Sequence, residues 1–512
     1  MITVSDAWKD IQQRFLLPEG HIEIKCALTE AGLQESASIT GAYEAAFSNT
    51  TEALNTDSDS VGIKYATNEL NLWALDASCM IMPDEAPFTG NGYVSNIEAT
   101  GNVTIALPAV HTGQIPGVTI TWGDAYGEYP PVFTVTAKNG NTTVAETTVT
   151  DNTKSVCIID MELTGYDSIT VTIHNWCLPN RRPRIEKVVL GHMLTLTKKN
   201  ILSYSHEQNG DLLMGELPKN SIDFSLDNID GRWNPNNPTG IERYLSERQR
   251  LTVRYGFTID NKVEWIKAGT FYLSEWRAPA NGLEAIFSAR DIFEYLMNEP
   301  YTGVTTGSWL ELVEAAFSAA GLPAGFEYVL DTEALSAGTA AIESGREYSC
   351  AEIIQLCANA ASLVVYQDRS GVLHIENYAG TLSEYMITSA LSYSHPEVEL
   401  SKPLKAVSIT GSMTGTVTYG STGETQTVDN PFIGDVDAIA KLAEWVKYVL
   451  ASRKTVNGEY RADPRLDLFD VVTVESKYGR IAPVAITNIK YTFSGSFRAN
   501  YTGRVLEGER TA

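Results

Sequence analysis

The feature that most restricts this chain is a period of two in its apolar residues, repeated through many short segments and interrupted by turn residues. Val118, Ile120 and Trp122 fall on one face of an extended segment, Phe133 and Val135 on another, and Ile169, Val171 and Ile173 on a third. Successive side chains of an extended backbone point to opposite faces, so such alternation buries one side of a strand and wets the other. Asn139-Gly140, followed by Val144, is a tight-turn signal, because both residues accept positive φ. Many short strands with turns and no helical period predict a β-sandwich over about 88–195. The texture continues over about 196–300. Ile222, Phe224 and Leu226 alternate into Asp227-Asn228-Ile229-Asp230-Gly231-Arg232-Trp233-Asn234-Pro235-Asn236-Asn237-Pro238, which is dense turn chemistry. Leu251, Val253 and Tyr255 form a strand ending at Gly256; Phe271 with Leu273, then Leu283 to Ala289, form two more. A sheet or small barrel fits. Before residue 88 the pattern is weaker: Ile22, Ile24 and Cys26 alternate, Ala42 to Thr56 reads as loop or helix, and Leu70, Leu72 and Trp73 open an apolar run.

Helical period appears later. Ser308 followed by Glu311 is a capping box, the apolar run reaches Ala320, and Gly321 with Pro323 ends it. Ser349 followed by Glu352 is a second box, with Ile353, Leu356, Cys357 and Ala360 at helical spacing. A strand (Leu363 to Tyr366), the turn Asp368-Arg369-Ser370-Gly371 and a strand with Leu373 and Ile375 make that helix part of an α+β unit. Over about 385–512, strands surround one helix that begins near Asp437 and turns Ile439, Leu442, Val446 and Val449 inward. The strands there are Val471 to Val474, Val484 to Ile489 and Tyr491 to Phe493, preceded by the turn Arg461-Ala462-Asp463-Pro464.

Composition sets the class. With 512 residues the chain has room for about three or four domains. Its net charge of −25 argues against wrapping nucleic acid, which needs clustered Lys and Arg. An acidic wall instead lets a polyanion slide past without sticking. No stretch is apolar enough to span a membrane as a helix. The start, Met-Ile-Thr-Val-Ser-Asp, lacks the basic-then-apolar run of a secretory signal. None of Cys26, Cys79, Cys157, Cys177, Cys350 and Cys357 forms a C-x-x-C pair, so buried free thiols in a reducing cytoplasm are expected.

Candidate chemistry is sparse. His21, His111, His174, His192, His206, His374 and His395 show no metalloprotease spacing, and no G-x-S-x-G elbow is present. Asp227, Asp230 and Gly231 lack the regular carboxylate alternation and terminal Glu of a calcium loop, so a structural turn is expected. Asp57 and Asp59 are read as a solvated loop. No catalytic residue, cofactor or metal ligand is assigned. Carboxylates are abundant, but a pair for glycoside cleavage is defined by a separation of about 5–9 Å in space rather than by spacing in sequence. Trp122, Tyr126, Tyr129 and Trp176 are a candidate carbohydrate-binding platform, since aromatic faces stack on sugars. The competing reading puts Trp122 and Trp176 in the sandwich core. Arg181, Arg182 and Arg184 form a short basic run, either a clamp for a carboxylate or a solvated edge.

Several of these segments, in their order, resemble the baseplate hub and tail-associated (tail tip) proteins of phage-type tails. They are Asp227-Asn228 through Pro238, Tyr244-Leu245, Arg248, Val253-Arg254-Tyr255-Gly256, Ala268-Gly269-Thr270-Phe271-Tyr272-Leu273 and Ser288-Ala289-Arg290-Asp291. The unit Ala351-Glu352 through Gly371 resembles that family's middle α+β domain. Asp429-Asn430-Pro431-Phe432, the helix after it, and Asp463-Pro464-Arg465-Leu466-Asp467-Leu468-Phe469-Asp470-Val471-Val472 resemble its last barrel. A Gly is common there just before the last Asp, where this chain has Phe469. The segment Ile173-His174-Asn175-Trp176-Cys177 to Pro183-Arg184-Ile185-Glu186 is similar to carbohydrate-binding jelly-roll modules.

The resemblance implies a mainly β chain with α+β parts. Residues 1–87 would begin a first hub barrel, 88–195 would be an inserted β-sandwich, 196–300 would complete the barrel, 301–384 would be α+β, and 385–512 would be a second barrel with one helix. It implies a non-enzymatic homotrimer at the virion tail tip. Such a trimer adapts a sixfold tube to threefold symmetry, contacts the distal tail or tail tube protein and the tape-measure protein, and opens so that DNA or cargo passes without specific binding. A host-wall carbohydrate-binding adhesin is the alternative, and a glycan-cleaving tail enzyme the second.

Overall fold

Extended segments dominate, as the recurring β-branched and aromatic alternation requires. The computed structural model describes residues 1–14, 17–30, 32–45, 48–55, 92–124, 127–237, 240–279, 282–323, 325–412, 415–461 and 463–507. Leu70, Leu72, Trp73, Asp57, Asp59 and Cys79 lie outside them. The chain is mainly β with α+β parts, and it divides into two compact units. One comprises residues 1–25, 195–242 and 250–512; the other comprises 26–194 and 243–249.

The 26–194 unit is a sandwich of two sheets around one core. The five-stranded sheet runs Ser38–Gly41, Gly101–His111, Tyr166–Ile173, Phe133–Asn139 and Thr142–Val149; the three-stranded one runs Lys187–Val189, Ile115–Thr121 and Val156–Leu163. Pairing of Val171 with Val103 on one side and Val135 on the other sets three buried valines in a row across the larger sheet. A one-residue slip would send that row to the solvent face. Asn139 pairs with Thr142 at a hairpin whose Gly140 has φ +56°, the conformation that the Asn-Gly signal predicts. Ile115–Thr121 departs from the expected one-sided strand: all but its last residue are buried. Its polar side is covered too, because the Thr119 hydroxyl donates to the Gly191 carbonyl and accepts from the Met193 N–H. Ser38–Gly41, upstream of residue 88, belongs to the larger sheet through its pairing with Gly101–His111.

The strands read as two barrels are continuous. One 13-stranded sheet follows the path Gly191–Thr197, Gly20–Thr29, Arg250–Ile259, Lys262–Arg277, Glu284–Arg290, Lys219–Asp227, Ile201–Asn209, Gly479–Phe493, Phe497–Val505, Lys454–Arg461 and Glu397–Leu400, with Val471–Ser476 and Leu382–Ile387 branching from Gly479–Phe493. Ile201–Asn209 is the seam. It pairs antiparallel with Lys219–Asp227 on one flank and with Gly479–Phe493 on the other, Tyr204 facing both Phe224 and Phe493.

The helices Trp309–Ala319, Cys350–Ala361 and Val436–Val449 share one core with that sheet. Both capping boxes form: the Ser308 and Ser349 side chains accept from the N–H groups of Glu311 and Glu352, whose carboxylates return the bond. Ile439, Leu442, Val446 and Val449 are buried as their spacing requires, and so are Cys350 and Cys357.

Candidate functional site

A densely bonded polar cluster of the larger unit is built on the hairpin turn Asp368-Arg369-Ser370-Gly371. Asp368 holds that turn: its Oδ1 accepts from the N–H groups of Ser370 (2.8 Å) and Val372 (3.0 Å), while Gly371 takes φ +97°. The turn aims Arg369 inward, where it is only 6% exposed. Its Nε donates to Asp467 Oδ2 (3.1 Å), one terminal nitrogen to the carbonyls of Pro464 (2.6 Å) and Lys267 (3.3 Å), and the other to the carbonyl of Leu466 (2.7 Å). A planar fork with five N–H donors suits such a task, which a point charge does not. Burial works against the charge on Arg369, but Asp467 together with Tyr491, Tyr255 and Asp470 outweighs it and its pKa moves up. One side chain of the α+β part therefore grips a strand from the first half of the sheet and the 463–470 loop that precedes Val471–Ser476.

That loop is held from several sides. Asp467 Oδ1 accepts from Gln208 on the seam strand (2.5 Å), and the Tyr491 hydroxyl donates to the Leu466 carbonyl (2.5 Å). Asp463 is fully buried and accepts from Arg465 Nε (2.8 Å) and from the Trp8 indole N–H (3.3 Å). Phe469 adopts φ +65°, the region glycine enters freely. Here the ring is buried against Tyr366 and Tyr378, and a Cβ on Gly210 would lie 2.6 Å from its Cζ.

His206, on the seam strand, is wholly buried. Its Nε2 lies 2.8 Å from Asn220 Oδ1 and its Nδ1 2.8 Å from the Tyr255 hydroxyl, which in turn meets the Tyr204 hydroxyl at 2.7 Å. Donation to Asn220 assigns the proton to Nε2, so Nδ1 accepts from Tyr255 and Tyr255 from Tyr204. Burial pushes the His206 pKa down to about 4. A folded pKa below the unfolded one means that the unfolded chain takes up the proton first, so stability falls as pH drops from about 6.5 to about 4. Through this group the loss is about 3 kcal/mol. Lowering the pH from 7 to 4 is expected to cost the wild-type chain about 3 kcal/mol more than it costs His206→Gln, by urea denaturation; an equal change in the two chains would contradict the assignment.

The residues singled out in sequence are placed elsewhere. Trp122 and Trp176 are 0% and 7% exposed, packed edge-to-face with centroids 6.4 Å apart. Their indole N–H groups donate to Cys157 Sγ and to Glu128 Oε2. They are sandwich core and offer no open face for a sugar. Tyr129 is half-buried against that core, and Tyr126 lies outside the described residues. Asp227 and Asp230 each accept a backbone N–H two residues on, from Ile229 and Arg232, and so form turns. Among the described residues no group of three His, Cys, Asp or Glu side chains is arranged to hold a metal. Sequence reading missed Arg369, which it took for an ordinary turn residue.

No family model and no curated protein matches this chain. Several solved structures are similar to it. The tail protein from Neisseria meningitidis MC58 is 15% identical with a TM-score of 0.43, over 62% of this chain and 94% of that one. The 43 kDa tail protein of prophage MuSo2 from Shewanella oneidensis is 11% identical with a TM-score of 0.43, over 61% and 95%. The prophage tail protein gp18 from Listeria monocytogenes EGD-e is 13% identical with a TM-score of 0.41, over 63% and 93%.

Proposed function

We propose that this chain is a structural hub at the tip of a phage-type tail or related injection machine. Three copies would close the tail tube, and two antiparallel β-modules per copy would present six similar surfaces to it. The tube protein and the tape-measure protein would be its neighbours, and DNA or cargo would pass after an opening motion. The observation that carries this reading is the continuous sheet: two strand-rich halves meet at Ile201–Asn209 within one unit, bridged by the α+β part through Arg369. The net charge of −25 suits the wall of a channel for a polyanion. The role is non-enzymatic in this reading. His206, Asp291 and Arg369, whose ionisation the fold perturbs strongly, are buried from solvent, and His206 and Arg369 spend their polar atoms on the protein itself.

Native mass spectrometry and electron microscopy of the purified chain test the proposal. A mass of three copies and a threefold ring are expected. A strictly monomeric protein at micromolar concentration, or a particle in which it lies off the tail axis, would refute it.

A further inference from the structure

The short strand Thr425–Asp429 forms one edge of a three-stranded sheet, pairing in parallel with Ala406–Gly411. The ladder's phase is fixed at both ends, because Ala406 N–H donates to the Glu424 carbonyl and Asn430 N–H to the Thr410 carbonyl. In a parallel ladder alternate residues of one strand turn both backbone groups to the same neighbour. Gln426 and Val428 are therefore committed to Ala406–Gly411, and the N–H and C=O groups of Thr425, Thr427 and Asp429 point away from it. Among the described residues the one protein partner recorded for these outward groups is the Gln426 side-chain amide, 3.3 Å from the Thr427 carbonyl.

That edge opens on a cavity of about 220 Å³, bounded on the far side by the helix Cys350–Ala361 and the 211–215 loop. The far wall is rigid. Gln355 Nε2 donates to the Gly215 carbonyl (2.7 Å), and Asn359 Nδ2 to the Leu213 carbonyl (2.7 Å). Asp211 caps the loop by accepting from the N–H groups of Leu213 and Gly215. Leu213, Met214, Leu356 and Val428 supply apolar lining. The volume is below the roughly 300–1,000 Å³ of small-molecule pockets, but an apolar cleft beside an unpaired strand edge is the arrangement that takes up an extended chain. Charge decides the kind of chain. Asp211 is engaged by its own loop and lies in the field of Arg504. Asp429, at the cleft's rim, is exposed and has no ion-pair partner among the described residues.

We propose that this cleft binds an extended, basic segment of a partner polypeptide, which adds to Thr425–Asp429 as a further strand. An apolar side chain of the segment enters the cleft and a Lys or Arg meets Asp429. The proposal concerns a site within one copy of the chain, so it stands or falls independently of the hub reading.

The test uses the full chain and a fluorescein-labelled hexapeptide of alternating lysine and valine, read by anisotropy. Binding is expected, with Thr427→Pro, which removes an outward N–H at an edge where proline is tolerated, weakening it roughly tenfold. Asp429→Asn should weaken it roughly threefold and flatten its dependence on salt. Methylation of the peptide's own backbone nitrogens should abolish it without touching the protein. The proposal is overturned if the peptide fails to bind at millimolar concentration, if the N-methylated peptide or a glutamate–valine peptide binds equally well, or if neither variant changes the affinity.

Discussion

Replacing Arg369 by alanine is expected to destabilise the chain by about 3–5 kcal/mol, the usual result of removing one partner from a buried charge pair. The size follows from what is left behind. Asp467 would stay beside Gln208 but lose its ion pair, the carbonyls of Pro464 and Leu466 would lose a donor in a buried place, and the part-buried Lys267 carbonyl would lose one too. Urea denaturation followed by tryptophan fluorescence measures the loss. Arg369→Lys should recover only part of it, since an ammonium reaches fewer of the four acceptors. Joint replacement by Met at 369 and Leu at 467 should recover more than either single change, because an apolar pair removes the stranded charge. A midpoint for Arg369→Ala within about 0.5 kcal/mol of the wild type would show that the guanidinium is not what joins these segments.

The second large effect has the opposite sign. Asp291 is 1% exposed; its Oδ1 accepts from the Phe293 N–H (3.1 Å), and its Oδ2 has no hydrogen-bond partner among the described residues. Burial pushes its pKa up to about 8, against weaker downward pulls from the Phe293 N–H and Arg290. A folded pKa raised above the unfolded value of 3.8 means that the folded chain holds the proton longer. Stability from this group is complete below about pH 4 and is lost as pH rises to about 8, a total of about 6 kcal/mol. Asp291→Asn keeps the acceptor for Phe293 and cannot ionise. Its stability should match the wild type near pH 4 and exceed it increasingly towards pH 8. A gap that does not grow with pH would mean that the carboxyl is solvated in the folded state. Because His206 works in the opposite direction below pH 6.5, the two variants separate contributions that partly cancel in the wild-type chain.

The features readable in sequence are those with local causes. Ser308 with Glu311 and Ser349 with Glu352 announce helix starts because each box closes over three residues, and both close as expected. The alternation at Ile169, Val171 and Ile173 announces a strand because burial follows the backbone's own period. Arg369 gives no such sign: its acceptors lie 95 to 102 residues away in the chain, and an arginine in an Asp-Arg-Ser-Gly turn looks like solvated surface. Trp122 and Trp176 read in sequence either as a sugar platform or as sandwich core; their indole N–H groups find partners inside the sandwich, which lets the rings be buried. The smaller unit begins at Cys26, within the strand Gly20–Thr29, where the alternation runs on and composition marks nothing. Contiguity of the great sheet is equally silent, since cross-strand register between Tyr204 and Phe493 leaves no trace in either segment alone.

The seam strand has a mechanical corollary. Ile201–Asn209 is stitched along both flanks, six residue pairs of it to Gly479–Phe493, so the two halves can swing apart only by tearing a row of amide bonds together. Such a row resists load far better than a flexible linker. Any gate made from copies of this chain would therefore work by whole subunits tilting against one another, each keeping its own sheet intact.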